Sequence, residues 1–295
     1  MNNDFVIWLV LCLIWGSTWI FIKLGLDDWP PLTFAGLRFL LAAIVLWLVV
    51  IVQRRPVPRT RRDWLNLAWI GCTAFALNYG LIFWGEKRIT SGLASVLQAM
   101  IPAFGLIFAH YYLPAERITW RKLAGVAVGV LGVGLIFYDQ MAFEGRDALW
   151  GSLALVTSAA FVAYSNVFVK RYCQHLDAAA LAAGQMSFGL LPLLLVGTIC
   201  EGNPLRLPWT TSALLALLYL SLIGSALAFL LYYWLVQRVA VTKTMLIALV
   251  TPVVALLIGA LTRGEKISWR IAVGSAAILA GISLIIVHRK PVVGK

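Results

Sequence analysis

Ten long, largely apolar stretches separated by short polar loops make up most of this chain. They span residues 5–25, 32–52, 65–86, 92–113, 122–138, 151–169, 178–200, 212–236, 243–262 and 271–288. A helix needs about 20 predominantly apolar residues to cross the hydrocarbon core of a bilayer. Each stretch therefore reads as one crossing, and no length remains for a soluble domain. The first stretch is preceded by Met1-Asn2-Asn3-Asp4, without Lys or Arg, and no A-x-A site follows it. It reads as a retained helix rather than a cleaved signal peptide.

Composition points the same way. Hydrophobic residues are 62% of the chain before its 24 glycines are counted, and charged residues are 12%, against about 25% charged in soluble domains. Mean hydropathy is +0.90. A soluble globule could not hide that much apolar surface.

The formal net charge of +12 comes from loop residues. With the N-terminus placed in the cytoplasm, the inside regions carry 15 Lys and Arg and the outside loops carry 7. By the positive-inside rule both termini are then cytoplasmic. The one tight basic cluster, Arg54 to Arg62, lies between two apolar segments. It is not the basic, aromatic-laced face of a nucleic-acid binder, so no nucleic-acid partner is expected. Four scattered cysteines (Cys12, Cys72, Cys173, Cys200) and three scattered histidines form neither a disulfide framework nor a metal-ligand spacing. The cysteines read as small apolar packing residues. No metal or cofactor is expected.

The two halves of the chain match each other. RITSGLASVLQAMIP (88–102) aligns with RVAVTKTMLIALVTP (238–252) at an offset of 150, as does Trp84 with Trp234. ERITWRKLAG (116–125) aligns with EKISWRIAVG (265–274) at an offset of 149, and IFIK (20–23) with VFVK (167–170) at 147. Residues 1–140 and 141–295 are thus two repeats of five spans each. An odd number of spans forces consecutive repeats to enter the membrane from opposite sides, which gives two inverted five-helix repeats. Secondary transporters are built this way and place substrate near the midplane, where the repeats meet.

These features resemble the drug/metabolite transporter superfamily, in particular its ten-helix EamA-type permeases. The resemblance is carried by WGSTWIFIK in the first helix, LRFLLA in the second, a mid-helix proline in the fourth and ninth, and glycine-rich fifth and tenth helices. It implies a metabolite or amino-acid exporter of the bacterial inner membrane, with helices 5 and 10 beside the transport core.

Several residues could carry the chemistry. Pro102 and Pro252 lie near the middle of equivalent spans. Proline removes a backbone N–H and bends a helix, so these two are candidate hinges or tolerated packing kinks. Arg38 is the charge placed well inside a span, where charge is costly and usually faces a cavity. Its guanidinium suits bidentate capture of a carboxylate, or it snorkels to the interface. Its repeat partner is the uncharged Gln185, so the symmetry breaks there. Lys23 and Lys170 are equivalent helix-end lysines, read either as alternating gates or as snorkelling side chains. Trp15, Ser17, Thr18 and Trp19, Asn78 and Tyr79, Gln98, Tyr164 and Asn166, and Ser221 and Ser225 place polar and aromatic groups at mid-depth, as site lining or as packing glue. The expected substrate-binding set is Trp15, Thr18, Trp19, Arg38, Asn78, Tyr79, Gln98, Tyr164, Asn166 and Gln185. Gly125, Gly129, Gly132, Gly134, Gly274 and Gly281 permit close helix contact, within one chain or across a homodimer.

No P-loop, GxSxG or HExxH is present, and no carboxylate lies near mid-membrane. The expected activity is therefore transport rather than catalysis: export of small metabolites, amino acids or related compounds, by alternating access. Export of other solutes, such as drugs or cationic compounds, stands as an alternative, and a membrane-embedded transferase as a remoter one.

Overall fold

The computed structural model describes residues 3–113, 118–143, 145–239, 268–286 and, between 244 and 258, residues 244, 247–248, 250–252, 254–255 and 258. Among the described residues the chain is helical, with no strands. In hydrocarbon this satisfies every backbone group within its own segment. We label the helices α1 (Asn3–Asp28), α2 (Pro31–Val52), α3 (Arg61–Glu86), α4 (Ser91–Tyr112), α5 (Trp120–Phe143), α6 (Gly145–Tyr172), α7 (Ala178–Glu201) and α8 (Thr211–Arg238). The described positions between 244 and 258, all helical, form α9. Trp269–Ile286 is α10.

Seven of these, α1 to α4 and α6 to α8, are long and apolar enough to cross a membrane. Polar caps start four of the helices, and α3 begins at Arg61, ahead of its apolar stretch. Thr60 accepts from Asp63 N at 3.1 Å, Thr90 from Leu93 N at 3.2 Å, Thr210 from Ala213 N at 3.2 Å, and Asp177 from Ala179 N at 2.9 Å. These caps occupy backbone donors that a helix start leaves free.

The packing displays the inversion directly. Equivalent helices α2 and α7 run antiparallel: Gly197 lies against Thr33, Gly36 against Leu194, and Trp47 Nε1 donates to Ser187 Oγ at 3.0 Å. Equivalent helices α5 and α10 do the same: Gly132 faces the Gly274 carbonyl and Gly281 faces the Gly125 carbonyl. Helix α1 packs on α8 while its counterpart α6 packs on α3, so each repeat lends its first helix to the other.

Two irregularities interrupt the helices. Gly71–Leu77 in α3 and Leu222–Leu227 in α8 are π-helical, at equivalent positions of the two repeats. Helix α4 is interrupted at Ala99 and Met100, just ahead of Pro102. Pro252 is helical and buried in α9.

Polar ties fasten the two ends of the bundle. At one end Arg55 pairs with Asp177 at 3.2 Å and His175 with Asp63 at 3.0 Å. At the other, Glu201 accepts from Leu32 N, Thr33 N and Thr33 Oγ1 at 2.8–2.9 Å, capping α2 from the end of α7. Cys12 and Cys173 are buried, Cys72 is half-buried and Cys200 is exposed. Burial pushes the Cys173 thiol, in the α6–α7 connection, up to about 12, so it stays protonated at neutral pH.

Candidate functional site

A cavity lies between the repeats, lined by α1, α2, α3, α4, α6, α8 and α9. Its wall follows the internal symmetry. Trp15 and Val162, and Trp19 and Asn166, are equivalent at the offset of 147 and line it together. Tyr79 and Phe229, Ile82 and Tyr232, Gln98 and Ala248, and Ile101 and Thr251 do so at the offset of 150. The cavity therefore straddles the pseudo-twofold axis. The remaining liners, Thr18, Ile22, Arg38, Asn78, Thr244 and Ile247, have no lining counterpart and make it asymmetric.

Arg38 reaches this wall from α2 and is 1% exposed. Its Nε donates to Ser225 Oγ at 2.7 Å and its Nη2 to Gly224 O at 3.2 Å. The guanidinium carbon sits 5.0 Å from the Tyr79 ring centre, 5.4 Å from Phe39 and 5.8 Å from Phe83. Glu86, buried at the end of α3, acts on it electrostatically. The third nitrogen, Nη1, is buried without a hydrogen-bond partner. A cationic donor left in that state seeks an acceptor, since an unmet buried polar group is costly.

The π segments explain how backbone enters the wall. In α8 the Ala228 N–H bonds Ile223 O and Ser225 O instead of Gly224 O, four residues back. Gly224 O is thereby open to side chains, and it takes Trp15 Nε1 at 3.3 Å as well as Arg38 Nη2. In α3 the Asn78 N–H likewise bonds Thr73 O, five residues back. The carbonyl it leaves, Ala74 O, is the repeat counterpart of Gly224 O, and Asn78 Nδ2 donates to it at 3.0 Å. π-helical turns of this kind recur at functional sites because they re-aim backbone groups.

The other expected residues fall in three places. Trp15, Thr18, Trp19, Arg38, Asn78, Tyr79, Gln98 and Asn166 are brought together on the cavity wall. Gln98 reaches across to Leu155 O at 2.9 Å and to Ser158 Oγ, tying α4 to α6. Tyr164 and Gln185 do not line the cavity. Tyr164 Oη accepts from Trp69 Nε1 at 3.2 Å amid Phe108, Tyr112 and Phe168. Gln185 is fully buried and accepts from Tyr233 Oη at 2.7 Å. Ser17 pairs with Tyr219 Oη at 2.6 Å.

Lys23 and Lys170 sit off the cavity in matching roles. Lys23 Nζ donates to Glu86 O at 2.8 Å and Ile89 O at 2.6 Å, and Lys170 Nζ donates to Val236 O at 3.0 Å. Each ammonium thus meets carbonyls at the C-terminal end of a neighbouring helix, where the helix dipole favours a cation. Pro102 and Pro252 stand directly behind the liners Ile101 and Thr251.

The sequence reasoning passed over Phe229, Tyr232 and Thr251. The repeat offset marks Phe229 through its counterpart Tyr79, whereas Tyr232 and Thr251 are counterparts of the apolar Ile82 and Ile101, which nothing in the sequence singles out.

Comparison with known proteins follows this geometry. The sequence profile described as the EamA-like transporter family matches twice, over residues 5–138 and 149–287. The chain is 31% identical to the uncharacterized inner membrane transporter YedA of Escherichia coli (strain K12), over 96% of this chain and 92% of that one. It is 31% identical to a probable amino-acid metabolite efflux pump of Salmonella typhimurium, over 95% and 94%. A solved crystal structure superposes with a TM-score of 0.70 at 17% identity, covering 96% of this chain and 97% of that chain.

Proposed function

The chain belongs to the EamA-like transporter family, and on that premise we propose that it exports small carboxylate-bearing metabolites, amino acids and related compounds, by alternating access. Its place is the bacterial inner membrane, with both termini in the cytoplasm. The observation that carries this is Arg38, a buried cation on the wall of the central cavity with one guanidinium nitrogen unpartnered. Nε and Nη2 are already fixed by Ser225 and Gly224, so Nη1 is held in place as a charged donor for a carboxylate oxygen before cargo arrives. Trp15, Trp19, Tyr79 and Phe229 offer an apolar body room beside it. The printed name of the Salmonella typhimurium relative supports the same cargo class. Cationic drugs fit less well, because the guanidinium repels them.

Counterflow in proteoliposomes tests this. Vesicles loaded with an unlabelled amino-acid mixture should accumulate the labelled amino acid transiently. A broad panel of carboxylate metabolites giving no flux, with protein verified in both orientations, would defeat it.

A further inference from the structure

Asn78 presents a second unmet group to the same cavity. It is 2% exposed, and its Oδ1 is buried with no hydrogen-bond partner. The orientation of its amide is fixed by the fold. The π turn in α3 sends the Asn78 backbone N–H to Thr73 O, and the side-chain Nδ2 takes the vacated Ala74 O at 3.0 Å. A carbonyl accepts only a donor, so the NH2 side of the amide is committed there and Oδ1 is left as the side that can meet cargo.

The wall therefore holds two unsatisfied atoms of opposite character, a cationic donor at Arg38 Nη1 and a neutral acceptor at Asn78 Oδ1. A simple monocarboxylate cannot satisfy both. The acid group answers Arg38, but Asn78 stays desolvated and unpaired, and a site built to bond a donor rejects the analogue that lacks it. We propose that Asn78 Oδ1 is a specificity-determining contact: it accepts a hydrogen bond from an ammonium or hydroxyl group carried beside the cargo's carboxylate. The cargo is then a 2-amino or 2-hydroxy acid with an apolar side chain, and its des-amino acid is discriminated against. This rests on Arg38 as the anchor of the carboxylate.

The test is a ligand series on the purified full chain, read by binding affinity: leucine, 2-hydroxy-4-methylpentanoate, 4-methylpentanoate and leucinamide. The wild type should bind the first two at least about tenfold more tightly than 4-methylpentanoate, the size of one well-placed hydrogen bond to a buried partner. Asn78→Leu, which keeps the branched shape of the side chain and removes the acceptor, should close that gap. The wild-type series stands by itself should Asn78→Leu fail to fold. Equal binding of leucine and 4-methylpentanoate, with leucinamide excluded, overturns the role of Asn78 and leaves Arg38 intact. Leucinamide binding as well as leucine overturns Arg38 as the anchor, and the inference with it. No binding by any of the four overturns both.

Discussion

A guanidinium 1% exposed inside a membrane-spanning bundle is expensive on any insertion scale, and its neighbours show what offsets that cost. Three aromatic faces surround it, and a hydroxyl and a freed carbonyl fix two of its nitrogens. Arg38→Lys should not be a conservative change. A lysine ammonium is a single point donor group without the planar fork, so it cannot hold Ser225 and Gly224 and still offer a prong to cargo. The expected result is a loss of about tenfold or more in affinity for carboxylate cargo, the scale of one charge-assisted hydrogen bond, with the protein still folded. Titration of purified variant and wild type with the same amino acid measures it, and unchanged affinity would argue that Arg38 is structural. At this scale the sequence was informative wherever a side chain was chemically out of place. Arg38 and Asn78 stand out because lipid makes unpartnered polar groups costly. Tyr164 and Gln185 stand out equally but point elsewhere, because residue type does not reveal which face of a helix meets the axis.

Helices explain why. Ten crossings were legible from length and apolar content, and glycine content marked α5 and α10 as helices able to pack closely, without saying against which partner. The π turns were not legible, since a shift from i−4 to i−5 bonding changes no composition, yet they set which face of α3 and α8 reaches the cavity. The glycine contacts can be tested one by one. A Cβ on Gly132 would lie 2.6 Å from the Gly274 carbonyl oxygen, and one on Gly281 would run into the Gly125 carbonyl. Backbone cannot yield as a side-chain tip can. Gly132→Ala and Gly281→Ala should each destabilise the α5–α10 contact by about 1–3 kcal/mol, the usual cost of overpacking, visible as a lowered thermal midpoint in detergent. Gly134→Ala meets open space and should not lower the midpoint, since alanine is the better helix former. An equal lowering at all three positions would mean that the losses at Gly132 and Gly281 do not come from these contacts.

At the scale of the whole molecule, the inverted repeat and its break at Arg38 and Gln185 were legible from offsets alone, but which residues line the centre without their counterparts was not. Six pairs of equivalent residues line the cavity, whereas Thr18, Ile22, Arg38 and Asn78 line it without their counterparts Ser165, Val169, Gln185 and Ala228. In the alternating access we propose, the two copies of the module hold two conformations, and exchanging them turns the cavity to the other face. Gln185, sealed against Tyr233 at 2.7 Å, and Val169, 3% exposed, should then take the wall positions that Arg38 and Ile22 hold here. A ligand can shift such an equilibrium only through its preference for one state. Single cysteines at Ile22 and at Val169, each in a background lacking the four native cysteines, read the exchange through their rates of labelling by a water-soluble thiol reagent. Adding a transported amino acid should move the two rates in opposite directions, since opening one position closes the other. Rates that rise or fall together would mean that the cavity breathes as one unit, and the symmetry of the chain would then be architecture without a conformational role.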